Sequence, residues 1–261
     1  ALYMATAIDD YSGMSFVAFT ATKTDVKQKV KDMITTMELD AGYPVREIRT
    51  DRGTEYLNKE LGAWFSSKGI HHNPTAAYSP EQNGVAERLN RTIMEKSRPM
   101  LMGSGLPNDL WAKAAATANT LRNVLPVSGA SVTPYEAFLG TVPDVPYLRT
   151  FGCTVYVHTP KKLRNKLDPV SRKGVLVGYS GPNYRVLLPN GTITVSSYPA
   201  FLEAAKSGAK HDQDDDDGDM PPLATGSDSD DDDDDYAPGP AAGPAPVGGG
   251  PAPMHEDAAA D

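Results

Sequence analysis

One cysteine, Cys153, stands in 261 residues. A single thiol excludes any disulfide within the chain and suits a reducing compartment. Zinc-binding sets are equally wanting. The adjacent His71 and His72 would point to opposite sides of a strand, and no C-x-x-C pair accompanies them. Both read as ordinary strand or surface residues. No apolar run approaches the roughly 18 residues that a membrane span requires, and no signal peptide is evident. The sequence opens with Ala rather than Met, abruptly and in a strand pattern, which suggests a piece of a longer polypeptide.

What is present is charge, very unevenly spread. Of 34 acids, 17 fall in residues 202–261, against 2 of the 25 bases. Residues 1–201 are therefore net +6, and the overall −9 describes the C-terminal segment alone. A basic body is compatible with a polyanionic partner, because Lys and Arg that neutralise phosphates release counterions. The acidic segment, with DQDDDDGD and DSDDDDDDY, buries too little apolar surface to offset the entropy of ordering and is expected to be disordered. Its partner is left open: the basic body, a basic chromatin protein, or none.

Periodicity divides the rest in two. LYMATAID (2–9) and SFVAFTA (15–21) read as an antiparallel hairpin turned at Asp10 to Gly13. Val26, Val30, Met33 and Met37 have helical spacing. VREIRTD (45–51) is a strand ending on Asp51, with Gly53 permitting a sharp turn after it. A helix capped by Asn58 and stopped at Gly69 follows, then a short strand at GIHH. The loop NPTAAYSP leads to a helix over about 81–101 that should stop at Gly103, and another spans roughly 108–123. Thr133-Pro-Tyr-Glu136 is a capping box opening a short helix. This order predicts an α/β domain with a mixed sheet over residues 1–145. Short strands at CTVYVH, KGVLVGYS, YRVLL and TITVSS, with PNG turning the last two, predict a small barrel-like β module over 146–201. The acidic tail occupies 202–261.

Asp51 falls at the C-terminal end of a strand, the edge where sites form in open α/β sheets. Glu87 lies 36 positions later on a helix. Two carboxylates brought together repel one another unless a cation lies between them, and hard divalent ions prefer oxygen ligands. Spacing alone leaves a second reading equally open: Asp51 as a turn residue and Glu87 as a solvated one.

RTDRGTEY (49–56) with SPEQNGVAERLNRTI (79–93) closely resembles the retroelement integrases, in particular the Copia-type retrotransposon branch. AIDDYSG (7–13), LPNDLWAKAA (106–115), TPYEAFLG (133–140), LRTFGCTVYVH (148–158) and KGVLVGYS (173–180) support the likeness, which covers about residues 1–200. The resemblance implies a ribonuclease-H-like catalytic domain followed by an SH3-like module, and an Asp, Asp, Glu triad that binds Mg2+ or Mn2+. Asp51 would be the second acid and Glu87 the third. Residues like IDDYS belong to the family's second strand, so Asp9 is read as a hairpin residue, and the first catalytic aspartate is expected on a strand ahead of Ala1. A zinc-binding module would also normally precede the catalytic domain.

By that likeness Glu87 would hold the metal, while Gln82, Asn83, Asn90 and Arg91 would approach DNA. Gly84 would let the backbone pass close by. Arg88 and Arg98 are open to either phosphate contact or solvation, as is the run KKLRNK (161–166), with Lys161, Lys162 and Arg164. Val85, Leu89 and Ile93 would pack on the sheet. The expected activity is 3′-end processing and strand transfer in retrotransposon DNA integration. Element ends and target DNA would be the partners, in a homo-oligomer without a membrane. The site of action would be the nucleus, reached through a cytoplasmic particle. Two rivals stand beside it: a nuclease of the same fold, and a nucleic-acid-binding remnant lacking the first acid.

Overall fold

The computed structural model describes residues 1–76, 84–127 and 129–203. The expected acidic tail from 204 onward, together with Gln82 and Asn83, lies outside the described residues.

Strands β1 (Tyr3–Ile8) and β2 (Ser15–Thr20) form the anticipated antiparallel hairpin. Asp9 closes its turn: the Asp9 carboxylate accepts from the Ser12 amide at 2.8 Å and from the Ser12 hydroxyl at 2.6 Å. Helix α1 (Val26–Ala41) buries Val26, Val30, Met33 and Ile34. Strand β3 (Glu47–Thr50) runs parallel to β4 (His71–Pro74), with helix α2 (Lys59–Lys68) as the crossover between them. The Asn58 side chain caps α2 by accepting from the Leu61 amide at 2.8 Å, and Gly69 ends it at φ 70°. Ala5 and Ala7 of β1 share one apolar cluster with Ile48 of β3 and with α1 and α2. Both ribbons thus lie under the same pair of helices, yet among the described residues they form separate two-stranded sheets.

The pairing pattern shows which backbone groups each ribbon leaves over. Asp9 and Met14 face each other through a ladder bond, whereas the Ser15 amide turns away to the Asn123 side chain. Alternation then aims the backbone groups of Met4, Thr6 and Ile8 away from β2. On β3, the Arg46 and Thr50 carbonyls accept from β4, so the groups of Glu47 and Arg49 turn outward.

Helix α3 (Gly84–Ser104) runs past Gly103, where a stop was predicted, and holds Pro99 inside it. The left-handed residue is Gly105, at φ 67°. Leu89, Ile93 and Ser97 form its buried stripe against β1 and β2. Val85 does not join them: it is 55% exposed and packs in none of the apolar clusters of the described residues. Helix α4 (Trp111–Val124) follows a 3-10 turn, and α5 (Pro134–Leu139) opens on the Thr133 cap, whose hydroxyl accepts from the Glu136 amide at 3.1 Å.

The β module is a five-stranded antiparallel sheet, ordered β8 (Ile193–Ser196), β7 (Asn183–Leu187), β6 (Ser171–Ser180), β5 (Thr154–His158) and β9 (Ala200–Leu202). Strand β9 is absent from the sequence reading. Its three residues pair with β5, and the adjoining Glu203 carboxylate accepts from the Thr150 amide at 2.8 Å. Cys153 is buried in this module's core with Val155, Leu176 and Val186.

Helix α4 is covered on both sides. Ala115 and Ala118 face α3 and the β1–β2 hairpin; Ala114 faces Phe151 and Val177 of the module. All three alanines are 0% exposed. On the hairpin side, Asn119 and Asn123 donate to the Ser15 carbonyl at 2.9 and 2.7 Å, and both lie within reach of its hydroxyl. Arg122 reaches the same hydroxyl and the Gly13 carbonyl. Asn123→Leu leaves buried polar groups of Ser15 unpaired and is expected to lower unfolding free energy by about 2–3 kcal/mol, measured by urea denaturation.

Candidate metal and nucleic-acid site

Thr50 ends β3 and Asp51 follows it directly. The Asp51 Oδ1 accepts from the Gly53 amide at 2.9 Å, closing a tight turn. A Cβ at Gly53 would stand 3.0 Å from that oxygen and 2.7 Å from the Glu55 carboxyl carbon, so glycine keeps the turn compact. The Asp51 carboxylate is exposed and makes no ion pair with a described cation. The four ion pairs among the described residues all lie on α1 and α2.

Two side chains behind this turn were not singled out for it in the sequence. The Thr50 hydroxyl donates to the Asp51 carbonyl at 2.9 Å and lies 2.9 Å from His72 Nε2. That hydroxyl's one proton is committed, so the ring nitrogen is the donor. The His72 ring also packs on Phe65, with centroids 5.0 Å apart. Burial, and then the neighbouring His71, lower the His72 pKa. His72 is thus a neutral strut beneath Asp51, in keeping with its reading as a strand residue. Tyr56 is the second. Its phenol is pushed up to about 12, first by burial and then by the charges of Asp51 and Glu55. The phenol therefore stays protonated beside the Asp51 carboxylate. A tyrosine at this sequence distance from an acid carries no signal by itself; the Gly53 turn brings the two together.

Glu87 is exposed in the first turn of α3. A carboxylate there meets the positive end of the helix dipole. Asn90, three residues on, is half-buried, and its Oδ1 accepts from the Thr6 hydroxyl of β1 at 2.9 Å. One of its groups therefore serves to seat α3 on the hairpin. Arg91 is exposed, as are Arg88 and Arg98. Lys161 and Lys162 form an exposed 3-10 turn. Arg164 is half-buried, and its Nε is shielded without a hydrogen-bond partner among the described residues. No group of three or more His, Cys, Asp or Glu side chains arranged to hold a metal is found among the described residues.

Two family models match the chain: an integrase core domain over residues 1–80 and a retroviral polymerase SH3-like domain over 153–215. Among curated proteins, the retrovirus-related Pol polyprotein from transposon TNT 1-94 of Nicotiana tabacum is 37% identical over 183 residues, covering 70% of this chain and 14% of the relative. The Pol polyprotein from transposon RE1 of Arabidopsis thaliana is 30% identical over 179 residues, covering 68% and 12%. The chain thus spans about a seventh or less of these polyproteins. A solved HTLV-2 integrase catalytic core domain in complex with magnesium, in a trimeric form, is 22% identical with a TM-score of 0.42, covering 52% of this chain and 83% of that one. Such a loose overlay carries no residue correspondence. The chain belongs to the retrovirus-related Pol polyproteins of retrotransposons and carries their integrase core and SH3-like domains.

Burial of the Tyr56 phenol ties it to stability at high pH. The unfolded side chain ionises near pH 10, the folded one only near about 12, so the folded state loses stability as pH rises through that interval. Tyr56→Phe is expected to flatten that loss, read from denaturant midpoints across the same pH range.

Proposed function

We propose that the chain is a metal-dependent polynucleotidyl transferase of the integrase type, acting in 3′-end processing and strand transfer of retrotransposon DNA. One observation carries it: Asp51 at the end of β3 and Glu87 in the first turn of α3 are both exposed and free of ion pairs with described cations, in a chain matched by the integrase core family. Two such carboxylates are the hard oxygen donors that Mg2+ or Mn2+ prefers. When bound, the ion would activate the attacking oxygen and offset charge on the leaving one.

The chain's own residues then divide the work. Asp51 is oriented by the Gly53 amide, and Tyr56 stands protonated beside it. Glu87 sits one turn before the Asn90 anchor to Thr6. Gln82, Asn83, Asn90 and Arg91 contact the DNA backbone, and Lys161, Lys162 and Arg164 contact it from the β module. The outward backbone groups of Met4, Thr6 and Ile8 on β1, and of Glu47 and Arg49 on β3, suit a further strand bearing the remaining carboxylate. The protein acts as a homo-oligomer on element ends and target DNA. It reaches the nucleus through a cytoplasmic particle.

The finding that no three-ligand group occurs among the described residues favours a second reading, a DNA-binding remnant without chemistry. A nicking and strand-transfer assay on labelled duplex separates the two. The transferase reading expects metal-dependent products that fall to background in Glu87→Gln, with duplex affinity held within about twofold because a metal ligand contributes little to backbone contact. Equal binding and no products in either protein would establish the remnant.

A further inference from the structure

Two cations meet where α4 packs on the β module. Strand β6 bulges between Leu176 and Gly178, and the bulged Val177 is 0% exposed against Ala114. The bulge brings Gly178 opposite Arg185 of β7. Partners in an antiparallel register send their side chains to the same face. That face is turned toward α4: a Cβ on Gly178 would lie 3.0 Å from the Thr117 hydroxyl and 3.9 Å from the Lys113 carbonyl. Gly178 holds φ 136°, a backbone region that disfavours side chains, and its missing Cβ admits the helix. Arg185 therefore projects to the α4 side at the rim of the junction, one row out from Leu187 and Ile193, which pack within it. Lys113 lies one helical turn before Thr117 and is half-buried, as is Arg185.

The two charges are close enough to act on one another. The Lys113 pKa is lowered, first by burial and then by Arg185. No described carboxylate makes an ion pair with either. A fold that holds like charges together without a counterion stores repulsion that an anion would relieve. Arginine offers a planar fork for paired phosphate oxygens and lysine a point charge, a combination suited to phosphate.

We propose that Lys113 and Arg185 form a phosphate-binding site for a nucleic-acid backbone, spanning the helical layer and the β module. The duplex as occupant rests on the function proposed above; phosphate as the bound group rests on the pair itself. Neither residue belongs to the α3 face or to the KKLRNK run, so the site extends the DNA path to the opposite side of α4 from the hairpin.

The test compares the full chain with Lys113→Gln/Arg185→Gln by fluorescence anisotropy on a labelled duplex over a salt series. Each lost phosphate contact removes about 0.9 from the log–log salt slope, so the double variant should lose roughly 1.8, with affinity about tenfold or more weaker at low salt. Lys113→Glu supplies the control for folding: its carboxylate beside Arg185 should raise the melting temperature while weakening duplex binding. A merely structural pair would not give those opposed effects. Lys113→Arg/Arg185→Lys should keep the slope. An unchanged slope and affinity in the double variant overturns the site. So does a variant that binds duplex normally but expands in small-angle scattering, which would assign the pair to the Asp-rich segment 212–235. Inorganic phosphate that binds the unmodified chain but not the variant, with duplex binding equal in both, also overturns it. If the unmodified chain binds no duplex at low salt, the polynucleotide function itself fails and this site with it.

Discussion

Two sheets close on one helix, and the size of its side chains decides how near they come. Ala115 and Ala118 admit α3 and the hairpin on one side, while Ala114 admits Phe151 and Val177 on the other. Larger residues at these positions would force the layers apart, since packed interiors absorb added volume poorly. The same helix carries the polar ties. Asn119, Arg122 and Asn123 satisfy Ser15 and Gly13 in a largely buried network, where an unpaired group would be costly. Apolar contact sets the distance between the layers, and these bonds set the register of α4 along β2.

From that frame follows the placement of the acidic side chains. Helix α3 is held against the hairpin by Leu89, Ile93 and the Asn90–Thr6 bond, so its first turn, with Glu87, is fixed at one end. Strand β3 is held by β4 and by the crossover helix α2, so Asp51 is fixed at the strand's end. Between β1 and β3 there is a shared apolar cluster and no ladder. Side-chain burial unites the two ribbons where backbone bonding does not. Hydrophobic attraction needs no directional match, so it can hold strands side by side whose polar edges are unmatched.

Local chemistry was legible in the sequence wherever a residue acts on its near neighbours. The Asn58 cap, the Thr133 cap, the Asp9 turn and the Gly69 stop all appear as read, because each rests on bonds within a few residues. Gly103 misled because a glycine inside a helix costs only about 1 kcal/mol, which tertiary contacts along α3 readily offset. Strand β9 escaped notice because three residues show no period, and only pairing with β5 makes them a strand. Val85 failed because helical spacing marks a stripe without saying which of its positions meet a partner. Asp51 and Glu87 are candidates through family likeness alone, whereas the surroundings of Asp51 at Tyr56 and His72, and the meeting of Lys113 with Arg185, depend on turns and registers that spacing does not encode.

Gly152 and Gly178 carry a consequence for how such chains can be recombined. A Cβ at Gly152, which holds φ 82°, would stand 2.2 Å from the Ser104 Cβ, and one at Gly178 would crowd Thr117. Both belong to the module, but what they accommodate belongs to helices of the core. Grafting a foreign module onto this core would therefore succeed only where the donor brings glycine to both places. The two halves are matched parts and not interchangeable cassettes.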